Sequence, residues 1–183
     1  CIVIVLTVPT IVDSFRGYET YSTADGAQAT LLCTFVGAVV GFLIYRNQEE
    51  GSFLLQLFAW GLLTRMVVAV GIFIFNAQEF FGGDAITYDF YGWAQAKAWQ
   101  GDPYYQIIAN RFTEGSASAW GFTKMVGAAY YVIGRNTLAI QFLNSILGAA
   151  TAVLVYNCAQ HVYKNVRVAK IAAICVAFFP SLV

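Results

Sequence analysis

Charge is what this chain has least of. Its 183 residues include 10 Lys/Arg and 10 Asp/Glu, 11% in all, for a formal net charge of zero. Soluble domains usually carry about 25% charged residues, so this chain has too little polar surface to stay in solution alone. A zero balance also removes the basic stripe that a nucleic-acid partner or an anionic membrane surface would require. There is one histidine, His161, at the end of an apolar run where it would cap a helix; alone it makes no metal site. The four cysteines (Cys1, Cys33, Cys158, Cys175) form no C-x-x-C pair and lie in or beside apolar runs. They are expected to be reduced and buried as small hydrophobes.

What the chain does have is apolar length: 59% hydrophobic residues and a mean hydropathy of +0.64. About 20 apolar residues cross a bilayer as a helix. The runs that approach or reach this are Cys1–Val12, Ala27–Tyr45, Phe53–Phe75, Leu138–Ala159, and Val168 onward. No charged segment precedes "CIVIVLTVPTIV", so it reads as the tail of a spanning helix rather than a signal peptide. The fold expected is all-α, a polytopic helical membrane protein. Residues 1–52 would hold two membrane helices, the first partial, and 53–183 the start of a second module that continues beyond Val183. Gly37 and Gly41 form a G-x-x-x-G, a weak sign of close helix packing.

Lys164, Arg167 and Lys170 occupy a short loop without acids, and Arg46 ends a hydrophobic run. Because helices alternate in direction, these charges share one side, which the positive-inside rule makes cytoplasmic. Arg65, near the middle of Phe53–Phe75, is expected to snorkel to that same surface. Segment 76–137 is then exoplasmic, and its length predicts helices of its own. It holds Glu79, Asp84, Asp89, Asp102 and Glu114 against Lys97, Arg111, Lys124 and Arg135.

Within it, "DAITYDFYGWAQAKAWQ" reads as a helix. Asp84 is at the N-cap, and Gly101-Asp102-Pro103 closes the segment. Tyr88, Tyr91, Trp93 and Trp99 suit a helix lying in the headgroup layer. "SAWGFTKMVGAAYYVIG", interrupted by glycines, is expected at the interface rather than across it. Asp102 before Pro103 is a turn residue, and Gln141 and Asn144 suit helix packing. Asp84 has two readings: a helix cap, or a carboxylate at the mouth of the bundle acting as general base toward an acceptor. Lys97, Arg111 and Lys124 either snorkel or hold a leaving phosphate. Lys97 lies thirteen residues from Asp84, about 20 Å along a straight helix, and could share its ligand only if that ligand were extended or the helix bent.

The stretches "GGDAITYDFYGWAQAKAWQGDPYY" and "NTLAIQFLNSILGAATAVLVYNCAQHVYKNVRVAKIAAICVAFFPSLV" together resemble the N-terminal part of bacterial GT-C glycosyltransferases. The resemblance is to the aminoarabinose transferases and protein O-mannosyltransferases within that superfamily. It covers roughly Phe53 to Val183, and its motifs are loose. Asp84 stands at the place of the family's aspartate after a spanning helix, and Pro180 at the place of a proline near the end of a third helix. Ala85 stands where many relatives have a second acid, Asp89 follows five residues on, and the first two hydrophobic runs precede the usual first helix.

The resemblance implies a sugar donor on a polyprenyl phosphate at the exoplasmic face of a bacterial inner membrane. The acceptor would be a lipid, a glycan or a protein. Transfer would invert the anomeric carbon, with Asp84 as general base and Asp89 as second candidate. Some relatives use a divalent metal, Mg or Mn, which Asp84 would help to hold, and others do not. The competing readings are a transporter or flippase for lipid-linked glycans, and a non-catalytic membrane subunit.

Overall fold

A computed structural model describes residues 23–47, 50–74, 84–115 and 120–178. Among these there are seven helices and no strand: α1 (Thr23–Asn47), α2 (Gly51–Ile74), α3 (Asp84–Trp99), α4 (Pro103–Gly115), α5 (Trp120–Ile133), α6 (Thr137–Tyr163) and α7 (Val166–Phe178). Three are long and apolar enough to cross a membrane: Asp25–Arg46 and Gly51–Ile72, 22 residues each, and the 27 residues of Thr137–Tyr163. At 1.5 Å per residue the shorter two reach about 33 Å, the thickness of a hydrocarbon core. The run Cys1–Val12 lies outside the described residues. The described part of the run from Val168 is α7, whose 13 residues extend only about 20 Å.

Helix α6 is the centre of the bundle and packs against α1, α2 and α7. Its contacting face is built of small and medium side chains: Ala139, Ser145, Ala149 and Ala152 alternate with Phe142, Ile146, Val153 and Tyr156. Between spans the hydrophobic effect supplies little, because lipid tails are as apolar as leucine. Close van der Waals packing and satisfied polar groups hold such helices together. Small residues therefore matter. Helix α7 meets the bundle through Ala169, Ala173 and Ala177, one every fourth residue. The G-x-x-x-G of α1 serves the same end: a Cβ on Gly41 would come 3.1 Å from Leu55 Cδ1 and one on Gly37 3.5 Å from Leu62 Cδ2. Hydroxyls are satisfied within their own helices, as in Thr64 to Trp60 O (2.9 Å), Ser145 to Gln141 O (2.9 Å) and Thr151 to Leu147 O (2.9 Å). Without water, that is the arrangement lipid requires.

The α1–α2 and α6–α7 turns lie at the same end of the bundle, joined by an ion pair of Lys170 Nζ with Glu50 Oε2 at 2.9 Å. The basic residues grouped by the sequence therefore do share one end. Helix α6 ends at Lys164, which adopts the left-handed conformation (φ 49°) and donates its N–H to Gln160 O. Lys164 is thus the cap, and His161 stands exposed in the last turn. Cys33, Cys158 and Cys175 are free thiols, as expected, but only Cys33 is buried; the other two are exposed on the helix exteriors.

Arg65 overturns its expected position. It does not snorkel: it lies fourteen residues into α2, about 20 Å from the start of the helix, and is 2% exposed. Its guanidinium turns to the end of α7, Nη1 donating to Ala177 O (2.5 Å) and Gly61 O (3.4 Å), and Nη2 to Val176 O (3.3 Å). The physical reason is in the sequence. Pro180 has no N–H, so the carbonyl of Val176, four residues earlier, lacks its helical donor. A cation at a helix C-terminus also meets the negative end of the dipole. Gly61 and the Ala177 methyl leave room for the approach; a Cβ on Gly61 would lie 3.7 Å from Ala177 Cβ.

Helices α3, α4 and α5 form a smaller layer, with α3 between the other two. The α3–α5 crossing is close because Gly92 faces Val126 and Gly127 faces Gln95. A Cβ on Gly92 would overlap Val126 Cγ1 and lie 2.9 Å from Val126 Cβ. Ala96, Val126 and Tyr130 form the core of this layer, and Ile140 of α6 joins it to the bundle. Helix α3 packs against its neighbours through small residues: its Gly92, Ala94, Ala96 and Ala98 are buried. The sequence concealed this because alanines carry little apolar signal.

Two outcomes follow for the full-length protein in detergent. Arg65→Met removes the donors at the end of α7 and should cost about 3 kcal/mol, seen as a fall in the thermal midpoint, with Arg65→Lys recovering part. Gly92→Ala should cost about 1–3 kcal/mol by overpacking, and adding Val126→Ala should restore some of it.

Candidate functional site

The chemistry-bearing residues gather at the end of the bundle opposite the Lys170–Glu50 pair, where α5 turns into α6. Gly134 (φ +82°) reverses the chain there and donates its N–H to Tyr130 O at 3.0 Å. Asn136 follows as the N-cap of α6: its Oδ1 accepts from Ala139 N at 3.0 Å. The same amide donates through Nδ2 to Asp25 O (2.8 Å) and Gln28 Oε1 (3.5 Å) of α1. Gln28 in turn donates to Ile133 O, the last residue of α5, at 3.0 Å. Asn136 is 1% exposed, so its cap bond to Ala139 is buried, while the bonds that reach Asp25, Gln28 and Ile133 are partly buried.

Beside this junction lies Asp89. Its Oδ1 accepts from Tyr130 Oη at 2.5 Å and from Thr137 Oγ1 and Arg135 Nε at 3.4 Å each. Its Oδ2 pairs with Arg135 Nη2. Both oxygens are therefore occupied, and the carboxylate locks α3 to the α5–α6 turn. The Arg135 side chain is 48% exposed, so solvent screens much of the ion pair and the tyrosine bond is the drier contact. Burial first, then the hydrogen bond to Asp89, holds the Tyr130 phenol well above its ordinary range.

The other expected site residues divide. Asp84 is the first residue of α3, at the positive end of its dipole; its side chain lies outside the described residues. Lys97 folds onto its own helix, its Nζ 4.7 Å from the Trp93 ring centre and 3.2 Å from Gln100 Oε1. Arg111 is exposed on α4. Asp102 caps α4, accepting from Tyr104 N at 3.0 Å, with Pro103 as first helical residue. Lys124 stands among a different set of side chains. With Gln95, Trp99, Asn110, Thr113 and Glu114 it lines a cleft of about 290 Å³ between α3, α4 and α5.

The junction and the cleft are the parts the sequence reading missed. Their signals were present but weak: Gly-Arg-Asn-Thr at 134–137 is a helix stop followed by a cap, while Gln95/Trp99 and Asn110/Glu114 repeat at four-residue spacing on neighbouring helices. Among the described residues no group of three or more His, Cys, Asp or Glu comes together as metal ligands. No family model, curated protein or solved structure matches the chain.

Tyr130 gives a pH signature. Its folded-state pKa is raised above the ordinary 10.0, so the folded protein keeps a proton that the unfolded chain loses. The associated stability is complete below pH 10.0 and is lost as pH rises past it. Thermal midpoints of wild type should fall as the pH rises above 10.0, and Tyr130→Phe should show a shallower fall.

Proposed function

We propose that this protein is a membrane glycosyltransferase. It would transfer a sugar, with inversion, from a polyprenyl-phosphate donor to a lipid, glycan or protein acceptor at the exoplasmic face. The observation that carries this reading is the α3–α5 layer between two spans, at the bundle end away from the basic turns. It begins with an acid, Asp84, and carries a cleft lined by Trp99 and polar side chains. The order of elements is that of the resemblance: a span, an aspartate opening a helix, juxtamembrane helices, a return span and a short basic turn.

In this reading Asp84 takes the proton of the acceptor hydroxyl as the oxygen attacks the anomeric carbon and the lipid phosphate departs from the opposite face. A single in-line displacement needs a base on that side. Asp89, with both oxygens accepting from Tyr130, Thr137 and Arg135, serves instead to hold α3 in position. A transport role would favour ionisable groups facing a path through the spans. Arg65 is the charged side chain buried within the described spans, and it is bound to helix carbonyls.

The test is sugar transfer from a labelled polyprenyl-phosphate donor pool in membranes carrying the full-length protein. Asp84→Asn should lower transfer by 10²-fold or more, on the scale of a lost general base, at unchanged protein level. Equal transfer by wild type and variant would remove Asp84 from the chemistry. Absence of transfer or hydrolysis with every donor would return the transport and scaffold readings.

A further inference from the structure

We infer that the cleft between α3, α4 and α5 is a saccharide-binding subsite, holding a sugar unit of an oligosaccharide acceptor away from the point of reaction. Its place in a transfer reaction rests on the glycosyltransferase reading; its capacity to bind sugar does not.

The lining has the chemistry a pyranose requires. Trp99 is 46% exposed and offers an apolar aromatic surface for the C–H face of a ring. Gln95 and Asn110, on different helices, supply amides that both donate and accept, matching hydroxyls that do the same. Thr113 adds a hydroxyl, and Glu114 and Lys124 add one charge of each sign, so the cleft favours a neutral or zwitterionic ring over an anionic one. A volume of about 290 Å³ is at the small end of ligand pockets, suited to one unit of a chain rather than a whole glycan.

The cleft is also positioned by rigid parts. Trp99 is braced edge-on by Tyr131, ring centres 6.4 Å apart. The Gln95 stem packs over Gly127, where a Cβ would lie 3.0 Å from Gln95 Cβ and Cγ. Gln95 and Trp99 follow Asp84 on the same helix by eleven and fifteen residues, about 16 and 22 Å along its axis. A sugar in the cleft therefore cannot also present its hydroxyl to Asp84. It would be several units away along an extended acceptor, where binding energy can orient the reacting end.

Full-length protein in lipid nanodiscs would be titrated with maltotetraose, chitotetraose and mannotetraose, read by saturation-transfer NMR and calorimetry. At least one should bind. Trp99→Ala and Asn110→Ala should each weaken it 10-fold or more, with Lys97→Ala, on the same helix but outside the cleft, unchanged. No binding by any of the three, or binding indifferent to Trp99→Ala and Asn110→Ala, overturns the inference. A transfer assay separates the two readings. Transfer with an unchanged acceptor KM in Trp99→Ala removes the subsite and leaves the enzyme. Cleft-dependent binding without transfer by the wild type supports the subsite and removes its role in transfer.

Discussion

One buried amide holds the two halves of this protein together. Asn136 caps α6, the helix on which the bundle is built, and the same side chain grips the start of α1 through Asp25 O and Gln28. A helix end is where backbone groups lose their partners, and hydrocarbon offers no water to replace them. At this junction Gln28 of α1 donates to the last carbonyl of α5, Asn136 caps α6, and Asp89 adds α3 through Tyr130 and Arg135. The orientation of the three-helix layer, and hence of Asp84 and the cleft, depends on that exchange.

The same constraint operates inside the bundle. Helix α7 is short within the described residues, and Pro180 denies its Val176 carbonyl a donor. Arg65 supplies donors from α2. A charge in the membrane interior is costly unless it is paired or bound to carbonyls, and the helix end is costly unless it finds donors. Each offsets part of the other's penalty, and Arg65 Nε stays buried without a partner. Gly61 and the alanine face of α7 permit the contact, which is why small residues mark this interface.

The division of labour among the aspartates follows from where helices begin and cross. Asp102 caps α4, Asp89 is enclosed by donors from two other helices, and Asp84 opens α3. Three acids of the same type in one loop thus have three surroundings. For the basic residues too, proximity along the chain was a poor guide. Lys97 sits on its own tryptophan, while Lys124, from the next helix pair, reaches the cleft.

The sequence by itself determined the all-α class, the three long apolar spans, the shared end of the basic turns and the helix from Asp84. These depend on composition, run length and local caps, which act within a few residues. It also marked Asp102 as a turn residue. Only the tertiary structure decided that Arg65 turns inward, that α3 packs between α4 and α5, and that Asp89 joins Tyr130 and Arg135. It alone decided that Trp99, Asn110 and Lys124 share a cleft. Those contacts join residues far apart in the chain. Their existence depends on which helix faces meet, and that is set by glycines and alanines whose value lies in the room they leave.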